Sequence, residues 1–170
     1  MKRPETNEFV SYYGKYISLV EGDDVLPALT AQAADMRGVI SALPEEKGTF
    51  AYAEGKWTIK ELLSHLIDGE RIFAYRILRI SRGDKTPIEG FEQDEYIETA
   101  NANARSFADL VDEFDLQRRS NLLMIKGISE EGSQRMGTAS NNPVSARALA
   151  YIMAGHVAHH MNILRERYLA

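Results

Sequence analysis

The chain of 170 residues contains no cysteine, which excludes disulfides, thiolate metal sites and cysteine nucleophiles. It has no apolar run near the roughly 20 residues of a membrane helix, and its first residues lack the apolar stretch of a signal peptide. Positive charge is in deficit, with 20 Lys and Arg against 25 Asp and Glu and a formal net charge of −5. This balance, with no basic stripe, argues against nucleic-acid or anionic-lipid partners. We therefore expect a cytoplasmic protein with no nucleic-acid or membrane partner.

The composition is that of a folded domain. Hydrophobic residues make up 44% of the chain and charged residues 26%, which excludes an intrinsically disordered protein. A length of 170 residues is enough for one substantial core. Because no repeat, low-complexity tract or linker interrupts the sequence, we predict a single domain over residues 1–170.

Apolar residues recur at three- and four-residue spacing in four long stretches, which is typical of amphipathic helices. Thr58 and Glu61 match the capping-box pattern at the start of the second stretch. Pro44 and Gly127 are placed to stop the first and third stretches. The predicted helices cover about residues 25–43, 58–82 and 106–125, and from about 144 almost to the C-terminus.

The four helical patterns, with no convincing strand, predict an all-α protein built as a four-helix bundle. Residues 84–105, between the second and third helices, are too many for a tight hairpin. Bundles use such segments as crossovers, so helices two and three need not be antiparallel neighbours. Asp94 and Tyr96 in this crossover are candidates for closing over a site and selecting a substrate, or they pack there for structural reasons.

Three of the four histidines lie at positions that favour a shared metal ion. His156 and His160 are four residues apart on the fourth helix, separated by roughly 40° around the axis and about 6 Å along it. This spacing lets two imidazoles bind one metal ion. His65 lies on the apolar face of the second helix. Its imidazole would complete a site that leaves a coordination position for water or substrate.

The residues alone leave two other interpretations open. The histidines can be core residues with ordinary hydrogen bonds, and their spacing by itself favours this over a metal site. Periodicity also does not separate His160 from His159. A second apolar stripe, as regular as the one that contains His160, consists of Leu149, Ile152, His156, His159 and Ile163.

Two segments carry a resemblance to a known family. They are EGKWTIKELLSHLIDGER at residues 54–71 and AGHVAHHMNILRERY at residues 154–168. Both resemble signature segments of the DinB-like family, which includes metal-dependent hydrolases of the YfiT type and thiol S-transferases. The similarity extends over nearly the whole chain.

The resemblance implies an up-down-down-up four-helix bundle with a long crossover between helices two and three. It also implies that His65, His156 and His160 bind one divalent transition metal ion, with zinc and nickel the metals most often associated with the fold. Enzymes of the family include S-transferases that use low-molecular-weight thiols such as bacillithiol or mycothiol, and a maleylpyruvate isomerase. Homodimers are common among them, so the resemblance implies a homodimer.

A metal ion held by neutral imidazoles keeps its charge and lowers the pKa of a bound water or thiol. We therefore expect a metal-dependent enzyme that acts on a small electrophilic substrate, by hydrolysis or by S-transfer from a thiol partner. Asp68, one turn beyond His65, is the candidate catalytic carboxylate, or it is an ordinary helix carboxylate. The alternative function is a non-catalytic, metal-binding module for stress response and dimerisation.

Overall fold

The computed structural model describes residues 1–170 and is mostly helical, which confirms the predicted fold class at that level. Four long helices form a bundle, three short helices flank it, and one π-helical turn at Leu164–Tyr168 ends it. No helix combines the length and the apolarity needed to cross a membrane. The helices are α1 (Gly14–Ile17), α2 (Val25–Ser41), α3 (Ile59–Ser81), α4 (Gln93–Thr99), α5 (Phe107–Lys126), α6 (Glu130–Gln134) and α7 (Ala146–Ile163).

Local sequence signals determine where α3 and α7 begin. Thr58 Oγ1 accepts a hydrogen bond from the Glu61 amide at 3.1 Å, and the Glu61 carboxylate accepts one from the Thr58 amide at 2.8 Å. This is the predicted capping box, and it satisfies two amides that have no partner inside the helix. Helix α7 begins at Ala146, later than predicted, because Ser145 caps it and the residues before Ala146 form a strand.

The bundle has a polar layer between two apolar cores. Helix α3 packs against α5 and α7, and α2 packs against the same two helices. Buried apolar side chains form one cluster of 18 residues and another of 15. Along α7 the first cluster ends at Ala154 and the second begins at Val157, while along α3 they are separated between Ile67 and Ile77. Polar side chains occupy the space between.

An ion pair between Glu70 and Arg118 lies in this polar layer. The Arg118 side chain is 0% exposed and that of Glu70 is 1% exposed. Arg118 donates from Nε to Glu70 Oε2 at 3.0 Å and from Nη2 to Oε1 at 2.5 Å. Its Nη1 donates to the Leu29 carbonyl and to Gln32 Oε1, and Asn121 Nδ2 donates to Glu70 Oε2. The network joins α2, α3 and α5 and satisfies both charges.

The crossover between α3 and α5 contains a helix, α4, that the sequence analysis does not predict. The only buried residue of α4 is Ile97. Before α4, the Ile88 amide donates to the Thr138 carbonyl, and the Ile88 carbonyl accepts from the Ser140 amide, each at 2.9 Å. Backbone hydrogen bonds therefore attach the first half of the crossover to the segment that precedes α7.

That segment is an antiparallel β-hairpin of β1 (Met136–Ala139) and β2 (Asn142–Ser145). The sequence analysis finds no strand, so the hairpin is a correction to the all-α prediction. Its turn residues Ser140 and Asn141 have φ values of 49° and 62°, a conformation that Asn-Gly or Asp-Gly usually signals. A glycine in β1 and a proline in β2 weaken the strand pattern further.

Candidate metal site and its cavities

Three histidines meet near the middle of the bundle, where the second apolar cluster borders the polar layer. His65 from α3, and His156 and His160 from α7, place one ring nitrogen each within 4.8 Å of one another. The Nε2 atoms of His65 and His156 are 2.8 Å apart, and the three pairs of ring centroids are 4.6 to 4.8 Å apart. The structure thus brings together the three histidines that the sequence analysis selects.

His159 lies outside this cluster. Its ring contacts that of Tyr16, from α1, with the ring centroids 5.4 Å apart. Helix α1 comes this close because residue 155 is glycine: a Cβ there would be 2.0 Å from the Tyr16 carbonyl oxygen. Helix α1 therefore packs against one side of the partly exposed His159, while the His160 ring lies 4.8 Å from the His65 ring.

Burial keeps all three clustered imidazoles neutral. It lowers the pKa of His65 to about 4, against the opposing effect of the Asp94 carboxylate. Burial and then the neighbouring histidines lower the pKa of His160 to about 3 and that of His156 well below its ordinary value. A neutral imidazole has a lone pair available for a metal ion or a hydrogen bond, so each ring can act as a ligand at neutral pH.

The metal-free protein should lose stability as the pH falls from 6.5 to about 4. His65 takes up a proton near pH 6.5 in the unfolded chain but only near pH 4 in the folded one. The unfolded state therefore binds more protons in this window, and acidification favours unfolding. Over the whole window the difference corresponds to roughly 3 kcal/mol for His65 alone, of which roughly 2 kcal/mol falls between pH 7 and pH 5. Urea unfolding at about pH 7 and about pH 5 measures the loss.

His65→Asn provides the control for this prediction, because it removes one titrating group and should flatten the pH dependence of the unfolding free energy. Acidic side chains that ionise near pH 4.5 contribute little to the pH dependence of the unfolding free energy above about pH 5. The change between pH 7 and pH 5 therefore comes mainly from histidines. A free energy of unfolding that stays constant between these two pH values would contradict the assignment of buried, neutral imidazoles.

Two cavities reach the histidine cluster. The first, about 350 Å³, is lined by His65 and His156, and the second, about 280 Å³, is lined by His160. Asp94 lines both, so the crossover brings a carboxylate to the same place as the imidazoles. Aromatic side chains contribute to the other walls and include Tyr13, Tyr16, Phe73 and Phe91 in the first cavity and Tyr52, Trp57 and Tyr168 in the second.

Asp68 occupies a neighbouring cavity, with Ser64 and Arg71 in its lining. The nearest cationic atom is Arg71 Nη1, 3.5 Å from Asp68 Oδ1. Burial raises the pKa of Asp68, with Arg71 opposing the change. The residue lines neither of the two cavities that reach the histidines, and its catalytic role stays a prediction.

Two residues of the site have no signal in the sequence analysis. The Trp57 ring lies against His65 and His160, with centroid distances of 4.7 and 6.4 Å. Gly69 on α3 leaves room for His156, because a Cβ at residue 69 would be 3.1 Å from His156 Cε1. Both residues fix the positions of the imidazoles.

The donor set fits one divalent transition metal ion. A zinc ion about 2.0–2.1 Å from each nitrogen separates tetrahedral ligands by roughly 3.4 Å. The His65–His156 pair, at 2.8 Å, is slightly closer than this, and all three nitrogens lie within 4.8 Å. Neutral imidazoles are also the donors that zinc, copper and nickel accept. Small side-chain rotations therefore adapt the cluster to an ion.

Comparisons with solved structures give the same fold. YfiT from Bacillus subtilis, described as "a probable metal-dependent hydrolase with an unusual four-helix bundle topology", matches with a TM-score of 0.71 at 12% identity, over 98% of this chain and 93% of that one. A mycothiol-dependent maleylpyruvate isomerase matches with a TM-score of 0.65 at 16% identity, over 81% of this chain and 58% of that one. At these identities the likeness shows the fold alone. A search of curated protein sequences finds no match.

Comparison with protein-family models identifies the family to which the chain belongs. The model described as the DinB superfamily matches residues 28–164. This range runs from the first turn of α2 to the end of α7 and includes all three clustered histidines. The chain therefore belongs to the DinB superfamily.

Proposed function

We propose that the chain is a metal-dependent enzyme that acts on a small electrophilic substrate, by hydrolysis or by thiol transfer. The proposed ligands are His65, His156 and His160, and the proposed ion is zinc or nickel. The observation that carries the proposal is a cluster of three neutral imidazoles reached by two cavities. Closed structural zinc sites use four protein ligands, whereas three leave a position for water or substrate. The description of YfiT as a probable metal-dependent hydrolase supports the hydrolytic form.

The bound ion would supply a Lewis acid that lowers the pKa of water or of a thiol. The remaining work falls to side chains of the chain itself. The aromatic side chains in the cavity walls hold the apolar part of the substrate and keep bulk water from it. Asp94, at the wall of both cavities, is placed to accept the proton that the nucleophile releases. The mycothiol dependence of the isomerase that shares the fold supports a low-molecular-weight thiol as the partner.

Turnover tests this proposal. The protein loaded with zinc or nickel should conjugate glutathione or cysteine to monochlorobimane, or hydrolyse a p-nitrophenyl ester, and His156→Ala should have lost both activities. His159→Ala is the matched control, because it removes an imidazole that lies outside the cluster. Stoichiometric metal without turnover of any thiol or ester would instead favour the non-catalytic, metal-binding dimerisation module. The two cavities favour the enzyme, because such a module has no need of them.

The two candidate carboxylates are separated by a pair of matched variants. Asp94→Asn should lower kcat/KM by about 10²–10⁴-fold, the usual contribution of a general base. Asp68→Asn should have a small effect, since Asp68 lines a different cavity. Steady-state kinetics on both variants give the comparison. The reverse pattern would assign the base to Asp68, as the sequence analysis predicts.

Other features are proposed on narrower grounds. An up-down-down-up order is supported by contacts at two levels of each helix pair. Glu61 bonds to Asn103, just before α5, and Glu70 bonds to Arg118, so α3 and α5 run the same way. Gln32 bonds to the Ala154 carbonyl and Asp35 pairs with Arg165, just after α7, so α2 and α7 run the same way.

We also propose one domain over residues 1–170 and a cytoplasmic homodimer. The homodimer is supported by the exposed Leu116 and Leu123 on α5.

A further inference from the structure

Arg76 is a buried cation without an acidic partner. It lies on α3, three turns after His65, and is 3% exposed. Its Nη2 donates to the Glu89 carbonyl at 3.0 Å and to Ser140 Oγ at 2.9 Å, which are both neutral acceptors. Its Nε has no hydrogen-bond partner. The guanidinium therefore keeps both its charge and part of its donor capacity unused.

Other arginines in the interior differ from Arg76. Arg118 pairs with Glu70, and Arg147 pairs with Glu8. An unpaired buried charge lowers the stability of a fold, and burial accordingly lowers the pKa of Arg76. Buried side chains whose charge is not balanced by a nearby partner are found mainly at functional sites.

The position of Arg76 connects it to the histidines. It lines the first histidine cavity and also a larger cavity of about 570 Å³, so it forms a wall between them. Glu92 and Asp94 line the histidine cavity without forming an ion pair with Arg76. The two other arginines of this larger cavity form the ion pairs Arg71–Glu113 and Arg79–Asp84.

We propose that Arg76 binds an anionic oxygen group, a carboxylate or a phosphate, on the substrate that reacts at the histidines. This inference rests on the proposed function and names the substrate class. His65 and Arg76 lie three turns apart on α3, and their side chains line one cavity. The substrate therefore has its acidic group at Arg76 and its electrophilic end near His65. Phe73 and Phe91 line the cavity and contact its apolar middle.

Thermal unfolding tests the anion site on the full chain. Wild type, Arg76→Gln and Arg82→Gln are compared in buffer without carboxylate or phosphate, and then with succinate, inorganic phosphate or neutral succinamide at equal ionic strength. Arg82→Gln is the matched control, because Arg82 is an exposed arginine that follows α3. An anion at a hundredfold excess over its Kd should raise the Tm of wild type and Arg82→Gln by about 5 °C or more.

Succinamide should leave the Tm unchanged, and Arg76→Gln should respond to no anion. Without an anion Arg76→Gln should be at least as stable as wild type, because it removes an unpaired buried charge. A response to phosphate but not to succinate, or the reverse, identifies the acidic group. The proposal is overturned if no anion stabilises wild type, or if Arg76→Gln responds as wild type does. A destabilised Arg76→Gln combined with an unresponsive wild type would give Arg76 a structural role.

Measurement of the metal content distinguishes failure of the anion-site proposal from failure of the proposed metal-dependent function. Arg76→Gln should hold the same amount of metal as wild type, since Arg76 is not one of the clustered residues. If metal binds but no anion does, the anion site alone is wrong. If the anion response is present but metal is absent, the proposed metal-dependent function is wrong.

Discussion

Replacing His160 with alanine should reduce bound metal from about one equivalent to none, whereas His159→Ala should leave it near one. The two residues are adjacent on α7, but only His160 belongs to the cluster that includes His65 and His156. Removal of one ligand leaves two imidazoles, too few to hold an ion against dissociation during purification. Elemental analysis of protein prepared without a histidine tag gives the result directly.

His159→Ala is a closely matched control, because the chemical change is identical and lies one residue away. Circular dichroism of both variants verifies that the helices are retained. Loss of metal in His159→Ala but not in His160→Ala would assign the third ligand to His159. A wild-type protein that binds no metal after incubation with zinc, nickel or manganese would mean that the histidines are core residues.

Replacing Glu70 with alanine should lower the free energy of unfolding by about 3–5 kcal/mol. The substitution leaves the Arg118 guanidinium buried without its counter-charge. It also removes the acceptor for both Arg118 and Asn121. Urea denaturation of wild type and variant, analysed by linear extrapolation, measures the difference.

An exposed ion pair provides the comparison for the buried one. Arg37 pairs with Asp112 on the bundle surface, and its side chain is 44% exposed. Arg37→Ala should lower the free energy of unfolding far less than Glu70→Ala, because solvent screens an exposed ion pair. The double variant Glu70→Leu/Arg118→Met should recover much of the loss from Glu70→Ala, because well-packed apolar side chains replace buried ion pairs at little cost. A loss below about 1 kcal/mol in Glu70→Ala would mean that solvent reaches Arg118.

The sequence predicts the parts of the fold that local signals determine. Thr58 and Glu61 mark the start of α3 because a capping box depends only on residues three apart. The four long helices follow from apolar periodicity in the same way. Apolar periodicity does not predict helix α4, because Ile97 is its only buried residue and the helix has no repeating apolar face. The β-hairpin is not predicted because its turn places Ser140 and Asn141 at positive φ in place of the usual Asn-Gly or Asp-Gly.

The candidate site is predicted to the extent that it depends on residues within one helix. The four-residue spacing of His156 and His160 is visible in the sequence, but helix rotation alone admits His159 equally. Tertiary packing separates them: Tyr16 of α1 lies against His159, and its close approach over Gly155 joins segments far apart in the chain. The same limit applies to Asp94, since nothing local to the crossover shows that it lines the histidine cavities.

The weak attachment of α4 has a consequence for local opening. The crossover near Ile88 is hydrogen-bonded into the hairpin, and His65 and His156 are buried inside the bundle. Helix α4 has one buried side chain and is otherwise exposed, so its amides should exchange with deuterium far faster than those of Ile88 and Ser140. Asp94 is thus carried by a segment that opens at small cost. The backbone amides of His65 and His156 belong instead to the slowest-exchanging part of the molecule.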